Sequence, residues 1–145
     1  MKGTKILLFL MLLGVVFSAG KCKKKDKDEA TPGLVGTWKI NSILNSANAT
    51  PPNLTNLVNG TAVFGNTDYE FKNASGTGVE SGSYVYTASA GTLAVTPSGT
   101  SVFTNSNAAY NFNADLASPN LQLRVNIAAP NKPANEITIS LTKQQ

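Results

Sequence analysis

The chain has 145 residues, one cysteine, no histidine and a formal charge of +4, from 12 basic and 8 acidic residues. The absence of histidine rules out a Ser-His-Asp triad, imidazole acid–base chemistry and histidine metal ligands, and a single cysteine cannot build a Cys-rich zinc site. The positive charge sits at the start: beyond residue 21 nine basic residues face eight acidic ones, and from Thr31 onward five face five, so the folded part lacks the basic patch that nucleic acid demands.

In chain order, Met1, Lys2 and Lys5 open on a basic note. Ile6 to Phe17 is an apolar run of 12 residues interrupted only by Gly14, followed by the small residues Ser18, Ala19 and Gly20, then Lys21 and Cys22. This is the layout of a bacterial secretory signal. As a helix the run would cover about 18 Å, short of the ~30 Å of a bilayer's hydrocarbon core, so a transmembrane anchor is not expected. The residues before Cys22 resemble the bacterial lipobox, in which small residues precede a lipid-acceptor cysteine; Lys21 stands where that pattern has a small residue. The alternative is ordinary cleavage after Gly20, which leaves Cys22 a free thiol. Lipidation gives the lone cysteine of an exported chain a purpose. Residues 1–21 therefore read as a signal peptide and Cys22 as a lipid attachment site. The expected location is the cell envelope, with the chain held on the outer membrane through that lipid.

Residues 22–33, CKKKDKDEATPG, have no large apolar residue after the cysteine to bury and end on Pro-Gly, which reads as a solvated tether. The domain proper spans 34–145. Trp38 and Ile40 alternate with Thr37, Lys39 and Asn41, the pattern of a half-buried strand. Residues 44–56 form a long loop around Pro51-Pro52. Leu57-Val58, Asn59-Gly60 and Thr61-Ala62-Val63-Phe64 together predict a type I′ hairpin. Tyr69 and Phe71 alternate with Glu70 and Lys72, and Tyr84 and Tyr86 with Ser83, Val85 and Thr87. Ala88 to Gly91 predicts a turn and Thr92 to Val95 the returning strand. Ser101 to Thr104 reads as another short strand. Tyr110 and Phe112 alternate with Asn111 and Asn113. Leu121, Leu123, Val125 and Ile127 alternate with polar residues, Pro130 and Pro133 bracket a turn, and Ile137, Ile139 and Leu141 alternate again.

About eight short strands with turn signals between them, and no amphipathic helix, predict an all-β fold. An antiparallel up-and-down barrel is the first expectation and a β-sandwich the alternative. A closed sheet has no sticky edges, which a chain so poor in charge would struggle to blunt. The many Asn and Gly residues suit turns because both tolerate positive φ.

Leu34-Val35-Gly36-Thr37-Trp38 opening a strand resembles the start of lipocalin-like domains in small Bacteroidetes-type lipoproteins. Tyr69-Glu70-Phe71, Gly82-Ser83-Tyr84-Val85-Tyr86 and Gly91-Thr92-Leu93-Ala94-Val95 fit the successive hairpins of that family, so the resemblance spans roughly residues 34–142. It implies a barrel whose motif tryptophan, Trp38, closes one end, with a late-strand arginine stacked against it. Arg124 is the single arginine. Alternation sets it opposite Leu121, Leu123, Val125 and Ile127, whereas Trp38 points with Ile40. Arg124 is therefore expected on the outer surface.

Paired carboxylates could in principle hydrolyse glycosides. Asp68, Glu70, Glu80, Asp115 and Glu136 read instead as solubilising surface acids, and no cluster of them suggests a hard-cation site. No catalytic residue, cofactor or metal is expected. Four glycosylation-like triplets, at Asn48, Asn53, Asn59 and Asn73, read as turn chemistry. The aromatic set Tyr69, Phe71, Tyr84, Tyr86, Tyr110 and Phe112 remains. It either lines a pocket for a small apolar ligand or fills the barrel. The corresponding functions are a membrane-tethered lipocalin-like carrier, or a non-catalytic cell-surface module that binds a protein or glycan.

Overall fold

A computed structural model describes residues 33–127 and 135–145. The expected signal peptide, Cys22, the expected tether up to residue 32 and the expected turn at Pro130 and Pro133 lie outside these residues. Eight strands follow in order: β1 (Gly36–Asn45), β2 (Thr61–Phe64), β3 (Asp68–Lys72), β4 (Gly78–Thr87), β5 (Thr92–Pro97), β6 (Tyr110–Ala117), β7 (Asn120–Ile127) and β8 (Asn135–Lys143). Each pairs antiparallel with the next, and β8 pairs back onto β1 from Trp38↔Lys143 to Asn45↔Ile137, closing the barrel. The fold is thus the up-and-down barrel and not the sandwich.

The two-residue period of a strand decides what goes inside. On β7, Leu121, Leu123 and Val125 are buried while Gln122 and Asn126 are exposed. On β6, Phe112 and Ala114 are buried between exposed Asn111, Asn113 and Asp115. The same alternation holds on β5 and β8. The outer wall is consequently polar and the interior apolar, the reverse of a barrel that spans a membrane. On β1 the period slips once. Ile40 faces Leu141 but Ser42 faces Ser140, so Asn41 is an extra residue, and its Nδ2 donates to Thr142 Oγ1 at 2.8 Å. The bulge lets Ile43, three residues after Ile40, turn inward again. A second irregularity, between Phe71 and Lys72 of β3, leaves Val79 of β4 without a partner, beside Glu80.

Two sequence expectations fail. Asn59-Gly60 does not turn a hairpin. Leu57 belongs to a 3-10 turn at Pro52–Leu57, and Asn59 and Gly60 already pair with Ile40 of β1 (Asn59 N–H to Ile40 O, 3.0 Å; Ile40 N–H to Gly60 O, 2.9 Å). Leu54 and Leu57 lie three residues apart, which in a 3-10 turn puts both on one face, and both are buried. Their burial outweighs the local turn preference. Asn59 still adopts a left-handed conformation, with φ 66°, and so closes the excursion. Ser101–Thr104 is likewise not a strand but the turning tip of the β5–β6 loop.

Candidate functional site at the barrel mouth

The barrel has two differently built ends. At one, β1 begins and β8 finishes. Trp38 is fully buried there, and its Nε1 donates to Leu34 O at 2.7 Å. The Lys143 ammonium lies 5.4 Å from the Trp38 ring centroid and donates to Gly33 O at 2.8 Å. Gly36 has φ 136°, and a Cβ there would meet the Lys143 side chain at 3.1 Å, so the glycine of the Gly-Thr-Trp motif leaves room for that cation to cross. The cation over Trp38 is thus Lys143 of β8 and not an arginine. Arg124 stays on the outer face of β7, as alternation required.

At the other end, the mouth, the β1–β2 loop (46–60) and the β5–β6 loop (98–109) fold over the opening. Phe103, from the second loop, is 3% exposed and points into the interior. Its ring packs edge-to-face on Phe71 (centroids 5.1 Å apart) and Phe112 (5.6 Å). The same edge-on packing links Tyr69 to Phe71 (5.7 Å), Tyr110 to Phe112 (5.3 Å), Phe64 to Phe71 (6.4 Å) and Phe64 to Tyr84 (5.5 Å). Such T-shaped pairs add roughly 0.5–1.5 kcal/mol each beyond burial. Of the six residues singled out from the sequence, Tyr69, Phe71, Tyr110 and Phe112 meet here. Tyr84 joins through Phe64 and donates its hydroxyl to Gly65 O at 2.6 Å. Tyr86 is partly buried towards the opposite end of β4 and makes no ring pair among the described residues.

Three members of this site, Phe64, Glu80 and Phe103, were not among those six. Glu80 is not a surface acid: it is 6% exposed, on the inner face of β4 with Tyr84 and Tyr86. Its Oε1 accepts from the Tyr69 hydroxyl (2.8 Å) and the Tyr110 hydroxyl (2.6 Å), and its Oε2 accepts from the Val102 N–H (2.8 Å). Burial, reinforced by the Glu80 carboxylate, pushes both phenols well above their usual value near 10, so both remain hydrogen-bond donors at neutral pH. The ion pair seen among the described residues, Lys72 with Glu70 at 3.1 Å, lies on the outer wall and leaves Glu80 without a cation. The period-two count back from Tyr84 contained this signal. Phe103 had no comparable signal, because loops carry no periodicity.

Val102 is held from both sides. Glu80 takes its N–H, and Asn53 Nδ2 of the neighbouring loop donates to its carbonyl at 3.0 Å. Ser101 is buried, and its Oγ accepts from the Phe103 N–H at 3.1 Å. Thr104 Oγ1, on the same loop, is buried with no partner among the described residues, a situation that costs about 1–3 kcal/mol. The loop is thus latched at Val102, plugged by Phe103, and carries a penalty one residue later. Behind its base runs an open cleft of about 350 Å³, lined by Glu70, Gly78 to Ser81 and Ser98 to Thr100. The glycosylation-like asparagines do hold turns: Asn48 and Asn59 are left-handed, Asn53 ties the two loops, and Asn73 Oδ1 accepts from the Ser75 and Thr77 amides.

Among the described residues no three His, Cys, Asp or Glu side chains gather as metal ligands would. The arrangement offers a buried carboxylate, two phenols and an aromatic wall, which suits binding and orientation. Comparison of the chain with family models, with curated proteins and with solved structures found no match.

Proposed function

We propose that this chain is an exported, membrane-tethered lipoprotein whose barrel binds a small apolar ligand at its mouth, without catalysing a reaction on it. The observation that carries this reading is Phe103. A loop residue, not a strand residue, fills the space between Phe71 and Phe112, so the plug can leave without breaking the barrel. Aromatic walls with polar groups on one side are the usual make-up of a small-molecule site. The polar outer wall and the tether suit a domain held in water beside a membrane. Lipid on Cys22 supplies the hold, each buried methylene contributing about 0.8 kcal/mol. Cys22→Ala should move the protein from the membrane to the soluble fraction, and a mature chain that begins at Lys21 with an unmodified thiol would contradict the tether.

The binding test uses the Cys22→Ala chain, which carries no acyl group to complicate a titration with a neutral naphthyl fluorophore. Saturable binding is expected, and Phe103→Ala should tighten it about tenfold by removing the competing plug. No binding to either chain would contradict the carrier. The filled interior would then support the second reading, a rigid surface module that binds a protein or glycan.

A further inference from the structure

Glu80 and Phe103 together describe a ligand. The barrel encloses Glu80, which is only 6% exposed, and the three polar contacts of its carboxylate among the described residues are neutral donors: two hydroxyls and the Val102 amide. A buried charge is expensive unless an opposite charge accompanies it. None does so among the described residues. One of the three donors, moreover, is loop-borne. Tyr69 and Tyr110 belong to strands of the barrel, but the Val102 N–H arrives with the same loop that delivers the Phe103 ring. An N–H on Glu80 Oε2 and a phenyl ring between Phe71 and Phe112 therefore enter and leave as one unit.

We propose that the Val102–Phe103 segment is an internal surrogate for an arylalkylamine, an aromatic ring joined by a short chain to an ammonium group. The ligand's ring takes the place of the Phe103 ring. Its ammonium takes the place of the Val102 amide on Glu80 Oε2, while Tyr69 and Tyr110 continue to hold Oε1. The backbone path from the Val102 nitrogen to the Phe103 ring is about five atoms, which sets the longest useful spacer. A cation on a carboxylate forms a shorter and stronger hydrogen bond than a neutral amide does, and it supplies a counter-charge that no described residue brings to Glu80. Against the latch at Val102, two features favour release: the loop carries the Thr104 hydroxyl, which has no partner among the described residues, and its base at Ser98 to Thr100 borders an open cleft lined in part by Glu80.

This inference rests on the carrier reading, and the experiment separates the two. The Cys22→Ala chain is titrated calorimetrically with phenylbutylamine, phenylbutanol and phenylbutyrate, which share a skeleton and differ in charge. The amine should bind at least tenfold more tightly than the alcohol, and the acid more weakly than either. Glu80→Gln keeps the shape of the side chain and should abolish the preference for the amine while retaining the alcohol. Phe103→Ala, which leaves Glu80 untouched, should tighten the amine and keep its preference. Equal binding of amine and alcohol would overturn the arylalkylamine assignment and leave the apolar carrier intact. Failure of all three compounds to bind either the Cys22→Ala chain or its Phe103→Ala variant would overturn both.

Discussion

The two ends of the barrel are closed by different means. At the Trp38 end most of the closing parts belong to paired strands: Trp38 on β1, Lys143 on β8 and Tyr84 on β4, with Leu34 two residues before β1. At the mouth the parts are Phe103, Val102, Leu54 and Leu57, all on connections between strands. A strand residue cannot move without breaking ladder hydrogen bonds on both sides. A loop residue can leave with its loop. One end is therefore part of the barrel's cooperative unit, and the other can open below the cost of global unfolding.

The largest test of this contrast is a pair of truncations. Trp38→Ala should cost roughly 3–5 kcal/mol, the range for a buried aromatic whose surroundings cannot collapse. Phe103→Ala removes another buried ring, but one carried on a loop outside the strand ladder, so about half that loss is expected in a denaturant melt. Equal losses at the two positions would erase the distinction. Next in size is Glu80→Ala, which strands two phenol hydroxyls and an amide. A loss of about 2–3 kcal/mol is expected, together with faster proteolysis within residues 98–109. Unchanged proteolysis would mean that Glu80 does not latch the loop.

Alkaline pH should also weaken the mouth. Tyr69 and Tyr110 have phenols raised above their unfolded value, so their contribution to stability is complete below about pH 10 and is lost as pH climbs above it towards the folded values. Melts between neutral pH and pH 11 should show this decline, and Tyr110→Phe should blunt it. The smallest expected effect returns to the sealed end. Lys143→Met removes the cation over Trp38 and the bond to Gly33 O, at a cost of about 1 kcal/mol.

Legibility in the sequence follows the same division. The strands announced themselves because one face is buried, and period-two burial shows as Leu121-x-Leu123-x-Val125 or Ile137-x-Ile139-x-Leu141. Trp38 and the outward Arg124 followed from the same count. Glu80 was equally readable, lying four residues before Tyr84 on the same face; its charge argued for the surface more loudly than its position argued for the interior. What closes the mouth was not readable. Asn59-Gly60 carries a hairpin signal that the burial of Leu54 and Leu57 overrides. Ser101-Val102-Phe103-Thr104 looks like a strand because Val and Phe favour strands, yet Phe103 is placed by the rings it meets across the barrel. Pairing partners distant in sequence leave no local trace, and the closure of β1 on β8 belongs to the same class.

The most direct test of a removable plug is native-state amide hydrogen exchange, read at single residues. The Val102 and Phe103 amides are protected by side-chain acceptors, Glu80 and Ser101, whereas those of β1 and β8 are protected by the closing ladder. The loop amides should exchange through an opening at least about 2 kcal/mol cheaper than global unfolding, while β1 and β8 exchange only with the whole barrel. Exchange of Val102 and Phe103 at the same free energy as Trp38 and Leu141 would show that the mouth never opens on its own, and would contradict the account.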